Sequence, residues 1–347
     1  MKELIDKLRI EQDLKRAEWI TLFKYHDYDT EEYVRACAEE VTKAVYKNAI
    51  YVRGLIEFTN ICRNDCYYCG IRRSNKNINR YRLMLAEILE CCQRAYEAGY
   101  RTFVLQGGED TYYTDERMTT IIYAIRTTYP DCAITLSIGE RSYESYEALY
   151  RAGADRYLLR HEAYETAHYE ALHPEELSAK KRQECLYNLK KIGYQTGTGF
   201  MVGAPYQTAE TLAGDMMFIK RLQPQMAGIG PYIPHLATPF KEMPAGTIRD
   251  TCFLLGLLRL MIPTLLLPST TALGTLGKEG RLLGIKHGAN VIMQNITPQE
   301  ARIKYTLYEN KERAGDIEIG LNSPFFKTLT AAGYQVVVGR GDVKDMC

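Results

Sequence analysis

From residue 50 onward one pattern recurs along the chain. A short apolar, β-branched run gives way to a polar or Gly-rich turn and then to a stretch whose apolar positions fall at helical spacing. The runs at 50–59, 102–108, 133–139, 155–162, 195–203, 226–234, 265–272 and 290–298 predict strands. Between them, AEILECCQRAYEAG and SYESYEALYRAG predict helices, each ending in Gly, which accepts the left-handed turn that closes a helix. Strands alternating with helices make parallel βαβ units. Eight such units predict an α/β fold, a (β/α)₈ TIM-type barrel over residues 49–300. Residues 1–48 read as an N-terminal helical extension of two helices joined by YHDYDTEEY, with Asp29 or Thr30 capping the second, lying over one barrel end. Residues 301–347, with a helix near SPFFKTLTAAG and the run QVVVG, read as a short C-terminal extension closing the barrel.

Composition narrows the function classes. The 347 residues are 46% hydrophobic and 25% charged, an ordinary globular balance. Net charge is +1, from 44 basic and 43 acidic side chains, with no basic stripe or acidic tail, so neither nucleic acid nor an anionic membrane surface is expected as partner. The first twenty residues mix charged and apolar groups without a continuous apolar core. Neither a signal peptide nor a spanning helix is expected, and the location expected is cytoplasmic. Of the ten cysteines, Cys37, Cys91, Cys92, Cys132, Cys185 and Cys252 sit inside apolar patterns and read as buried small hydrophobes in a reducing compartment. Cys347, the last residue, reads as exposed and without a role.

The remaining three cysteines carry the chemistry. Directly after the first strand stands NICRNDCYYCG, which sets Cys62, Cys66 and Cys69 in C-x₃-C-x₂-C spacing. Three thiolates on one loop can hold three corners of an iron–sulfur cube, whereas the usual cluster takes four cysteines. The missing ligand leaves one iron open. A structural zinc site needs a fourth protein ligand, usually from a second Cys or His pair, and none stands nearby. An odd local count argues against disulfides. The loop also follows a barrel strand at its C-terminal end, where such barrels keep their active sites.

In this spacing and place the chain resembles the radical S-adenosylmethionine superfamily. The resemblance implies one [4Fe–4S] cluster on Cys62, Cys66 and Cys69, and S-adenosyl-L-methionine as the second cofactor, cleaved to a 5′-deoxyadenosyl radical. It implies that Tyr68 packs near the adenine and that Gly107, Gly108 and Glu109, a G-G-E element ending the second strand after Gln106, bind the methionine amino group through the backbone. Glycine suits that close approach. Glu162 matches the position that binds the ribose hydroxyls, and Arg182 the one that pairs with the methionine carboxylate. The chain is further similar to the [FeFe]-hydrogenase maturation enzymes of the HydE type, in CGIRRSNKNINRYRL (69–83), VLQGGEDTYY (104–113), TLSIGE (135–140), RYLLRHE (156–162), GIGPYIPH (228–235), STTALGT (269–275) and GANVIMQN (288–295). Many members carry a second, C-terminal three-cysteine motif. Here the tail after residue 300 has only Cys347, so an auxiliary cluster is not expected.

The same resemblance gives Gln106, Thr135, Met226, Thr270, Thr271, Met293, Tyr305 and Tyr308 as pocket-lining residues. Alternation along the fourth strand aims Arg160 and Glu162 to one side and His161 to the other. Arg160 is therefore the expected clamp on a small anionic substrate, and His161 packs behind the strand. His235 reads equally as catalytic or as a cap on the barrel mouth, and Arg72 and Arg73 are not placed. The function expected is radical chemistry on a small iron- and sulfur-containing precursor of the [FeFe]-hydrogenase active site, with maturation proteins and an electron donor as partners. The alternative is a methylornithine synthase-like lysine mutase of pyrrolysine biosynthesis. TLSIGE and RYLLRHE favour the first, and a lysine ε-ammonium needs a carboxylate for which no unassigned acidic residue stands at the pocket positions. A non-catalytic iron–sulfur carrier would leave the G-G-E element and Glu162 without purpose.

Overall fold

The computed structural model describes residues 1–311, Gly320 and residues 323–344. Cys347 lies outside them. The strands are β1 (Ala49–Thr59), β2 (Thr102–Gly107), β3 (Ala133–Ser137), β4 (Arg156–Leu158), β5 (Gln195–Thr198), β6 (Met201–Val202), β7 (Met226–Ala227), β8 (Gly230–Pro231), β9 (Pro268–Ser269), β10 (Val291–Asn295) and β11 (Gln335–Val337). Their order β7-β5-β4-β3-β2-β1-β10-β9 is parallel throughout, and a bridge between Met226 and Leu266 joins the two ends. The result is an eight-stranded (β/α)₈ barrel. The predicted windows at 195–203 and 226–234 each hold two short strands, with β6 and β8 paired above β5 and β7. The break falls where a Cβ on Gly199 would stand 2.0 Å from the Gly228 carbonyl oxygen. The two backbones are too close for a regular ladder with side chains.

Side chains alternate across each strand. Leu55, Glu57, Gln106, Ser137 and Leu158 face the lumen, while Phe103, Leu105, Ile134 and Leu136 pack outward against the helices in the main core. The N-terminal segment forms three helices rather than two: Lys2–Glu11, Arg16–Tyr25 and Tyr28–Tyr46. Asp27, not Asp29 or Thr30, caps the third, accepting from the Thr30 amide at 2.9 Å. These helices clad the outer shell, the second on Ala209–Leu222 and the third on Ile248–Met261, instead of lying over a barrel end. Helix Ile248–Met261 is consequently buried nearly all round, as its sequence FLLGLLRLM requires. Only the last turn of the third helix reaches the barrel floor, where Tyr46 packs with Tyr51, Met226, Leu266 and Val291.

The floor is completed from the C-terminal side. β11 pairs with the lower end of β1, Ala49 opposite Gln335. The chain then crosses beneath the lumen. The fully buried Arg156 donates to the Arg340 carbonyl and to Asp342 Oδ1, both at 2.6 Å, and Gln195 donates to Asp342 at 2.9 Å. At the opposite end the lumen opens into a cavity of about 340 Å³.

Candidate active site

The loop that follows β1 has no regular ladder, so its backbone groups need other partners. The buried Asn60 donates to the carbonyls of Asn79 (2.8 Å) and Lys304 (2.7 Å) and accepts from the Tyr81 amide (2.8 Å). Arg80 donates to the carbonyls of Ile71, Arg72 and Asn75. Arg72, unplaced from sequence, ties the loop to itself through Asp65 at 2.8 Å. On this frame Cys62, Cys66 and Cys69 all line the cavity. Burial pushes all three thiols up, Cys69 to about 12 and Cys66 well above its ordinary value; at these two the neighbouring thiols add to it, and at Cys62 the Glu109 carboxylate does. Buried sulfurs so reluctant to ionise alone suit ligation by a cation that stabilises the thiolate. Among the described residues no three His, Cys, Asp or Glu side chains converge closely enough to hold a single metal ion. Thiolates bound to different corners of a cube need not converge.

The expected cofactor residues surround this loop. Gly107 and Gly108 end β2, and a Cβ on Gly108 would lie 2.3 Å from the Ile61 carbonyl oxygen, so a bare backbone is required beside the cysteines. Glu109 accepts from Arg63 at 3.0 Å and from the Glu140 amide at 2.9 Å. The Tyr68 hydroxyl meets His173 Nε2 at 3.1 Å, while His173 Nδ1 lies 2.8 Å from the Tyr169 carbonyl. Burial holds His173 down at about 3, so the ring is neutral. With Nδ1–H donating to Tyr169, Nε2 accepts the Tyr68 proton. Arg182, on helix Ala179–Ile192, sits 3.1 Å from Glu140 Oε1, yet neither Arg182 Nε nor that oxygen has an in-line hydrogen-bond partner. Glu162 lies just beyond β4, where Arg160 donates to its Oε2 at 2.8 Å. The two share a direction and both line the cavity. His161 points the other way, fully buried between Thr198 (2.9 Å) and Asp215 (3.3 Å).

Gln106, Thr270, Thr271, Met293, Tyr305 and Tyr308 also line the cavity. Thr135 and Met226 do not, which corrects their expected place. Thr135 sits one lumen step beneath Ser137, and Met226 lies beneath Gly228 and packs into the floor, its sulfur accepting from Arg53 at 3.1 Å. The cavity ends one layer above both. His235 stands in the mouth loop, its Nδ1 accepting from the Ala237 amide at 3.0 Å, with Glu309 3.7 Å from Nε2. Sequence reasoning missed Glu57 and Lys311, which meet inside the cavity. The expectation that no unassigned carboxylate lines the pocket is therefore wrong. The available signal was parity, since Glu57 falls on the lumen side of β1 with Leu55.

A parallel barrel with three thiols on the loop after its first strand defines a class, and the radical SAM superfamily model matches residues 56–219, which hold the cysteines, the G-G-E element, Glu162 and Arg182. The chain is 40% identical over 310 residues, 89% of its length and 88% of the relative's, to the [FeFe] hydrogenase maturase subunit HydE of Thermotoga maritima. It belongs to that family of radical SAM enzymes. It is also 25% identical over 305 residues (87% and 84% of the two chains) to 3-methylornithine synthase of Methanosarcina acetivorans. The crystal structure of methylornithine synthase (PylB) shares the fold, with a TM-score of 0.81, 23% identity and 96% and 97% of the two chains covered. Among the described residues no helix is long and apolar enough to cross a membrane.

Proposed function

We propose that this enzyme holds one [4Fe–4S] cluster on Cys62, Cys66 and Cys69, binds S-adenosyl-L-methionine beside it, and directs a 5′-deoxyadenosyl radical at a small anionic iron- and sulfur-containing precursor of an [FeFe]-hydrogenase active site. The supporting observation is convergence. The three thiols, the Gly107–Gly108 edge, Glu162 and Arg182 all face one cavity at the strand C-terminal ends, in a chain 40% identical to a hydrogenase maturase. Such a cluster supplies the electron that splits the sulfonium of S-adenosylmethionine into methionine and the 5′-deoxyadenosyl radical. Arg182 would hold the methionine carboxylate, the backbone of Gly107 to Glu109 its amino group, Glu162 the ribose hydroxyls, and Tyr68, fixed by His173, would flank the adenine. Deeper in, Arg160 would clamp the substrate anion, its fork matching a carboxylate-like group. Gln106, Thr270, Thr271, Met293, Tyr305 and Tyr308 would form the walls. An electron donor and maturation partners that accept the product complete the reading.

The test starts with anaerobically reconstituted protein. Iron and sulfide should match one cube per chain, S-adenosylmethionine with reductant should yield 5′-deoxyadenosine, and Cys66→Ala should abolish both. Glu162→Ala and Arg182→Ala should each weaken S-adenosylmethionine binding by about 1–3 kcal/mol, the usual loss when a buried ligand group is left unpaired. Arg160→Ala should keep the cluster and uncoupled cleavage but fail in a cell-free [FeFe]-hydrogenase maturation assay. A wild-type protein that cannot support maturation but converts lysine to methylornithine would replace this reading with the mutase.

A further inference from the structure

Among the described residues three carboxylates line the cavity, and each already faces a cation of the chain. Glu109 pairs with Arg63 at 2.9 Å and Glu162 with Arg160 at 2.8 Å. The third is Glu57, on the last lumen turn of β1 and only 1% exposed. Lys311 Nζ contacts its Oε1, and Asn295 donates to its Oε2 at 2.7 Å, so both oxygens are taken. The same ammonium donates to the Tyr305 carbonyl at 2.9 Å and lies 4.5 Å above the Tyr305 ring. Burial lowers the Lys311 amine, and Glu57 opposes that by holding its proton.

We propose that Lys311 is a specificity residue whose ammonium occupies Glu57, so that the cavity refuses a substrate ammonium and accepts an anion. This rests on the reading of the cavity as a substrate chamber and names the class of substrate it takes. A buried carboxylate is tolerated only when paired. Left free while the other cavity carboxylates keep their cations, Glu57 would be the natural seat for an amine on an alkyl stem, which is what a lysine-like substrate brings. Lys311 supplies that amine from within. Its backbone arrives on a segment stitched across the mouth, with Gly70 N–H donating to Leu307 O at 2.8 Å, Asn60 to Lys304 O at 2.7 Å, and Glu309 N–H to Pro234 O at 3.0 Å. A tethered ammonium competes with any free one at high effective concentration. In the same cavity Arg160, paired with Glu162 through one terminal nitrogen, leaves its Nε–H without an acceptor, so the open demand there is for an acceptor and not for a further cation.

The experiment is chemical rescue read by calorimetry on the reconstituted protein, with n-butylammonium as probe and n-butanol as its neutral counterpart. Lys311→Ala removes both stem and charge. It should bind n-butylammonium roughly tenfold or more tighter than the wild type does. The preference over n-butanol should disappear in Glu57→Gln/Lys311→Ala. Lys311→Met keeps the bulk of the stem. Should the Ala variant not fold, Lys311→Met titrated with methylammonium makes the same comparison. Equal binding by wild type and variant, or a gain that survives in the double variant, overturns the proposal. The readout needs no turnover. A normal ammonium response in an enzyme that fails in hydrogenase maturation would therefore count against the functional reading and leave the pairing intact.

Discussion

Glu162 has a φ of 63°, a left-handed backbone that costs a residue with a side chain about 1–2 kcal/mol. Its surroundings hold it there. Its amide donates to Gly199 O at 3.1 Å, the Ala163 amide donates to His161 O at 2.8 Å, and the fully buried Asp215 accepts from the Tyr164 amide at 2.7 Å while facing His161 Nε2 at 3.3 Å. Asp215 thus fastens the chain on both sides of Glu162 without touching the cavity. Asp215→Ala should destabilise the fold by about 1–3 kcal/mol, because two buried donors lose their acceptor. It should also weaken S-adenosylmethionine binding, with Asp215→Asn recovering part of each. Denaturant unfolding and equilibrium titration measure the two. Lost stability with unchanged affinity would reduce Asp215 to a packing residue. The direction of His161 was legible from strand parity alone. Its partner was not, because Asp215 sits on a helix whose apolar spacing says nothing about which strand end it will meet.

The barrel strands were readable as elements because lumen and shell residues are both buried and therefore both mostly apolar, which writes long β-branched runs into the sequence. The extension was readable only as amphipathic helices. Amphipathicity shows that a face is covered, not what covers it, and the seat on Ile248–Met261 depends on tertiary features such as Gly256, where a Cβ would stand 2.5 Å from Val34 Cγ1. The cysteine loop, by contrast, was legible from spacing. Its fit against β2 supplies a test at this scale. A methyl group at Gly108 would press on Ile61 O at 2.3 Å and on Cys62 Cβ at 2.8 Å, atoms that cannot swing aside as a flexible side chain would. Gly108→Ala should cost about 1–3 kcal/mol and displace the loop. Reconstituted iron per chain should fall well below that of the wild type. Full iron retention with wild-type 5′-deoxyadenosine formation would show that the loop has slack.

At the scale of the whole molecule, ion pairs make one tier at the cavity and another at the barrel floor, where Arg156 and Arg340 meet Asp342. Burial alone would raise the Asp342 carboxyl, but Arg156 and Arg340 outweigh it and hold it well below the usual carboxylate range. A carboxyl with a depressed folded pKa contributes stability that is complete above its unfolded value of about 3.9 and is lost as pH falls from there toward the folded value. Asp342→Ala should therefore cost about 1–2 kcal/mol near neutrality. That is less than a fully buried pair is worth, since Asp342 is 39% exposed. The penalty should shrink below pH 3.9, and thermal unfolding of both proteins at pH 7 and pH 3 checks it. A pH-independent difference would assign the effect to packing.

That lower tier also sets a clock. β1 is the first barrel strand to leave the ribosome and β11 the last, yet they are hydrogen-bonded neighbours. At 5–20 residues per second, about 15 s or longer separates the two. During that interval the lower edge of β1 and the Arg156 guanidinium have no partner from the tail. The newborn barrel is open beneath just when its cysteine loop first becomes available for metal, and the same chain closes it only once β11 and the segment to Asp342 have been made.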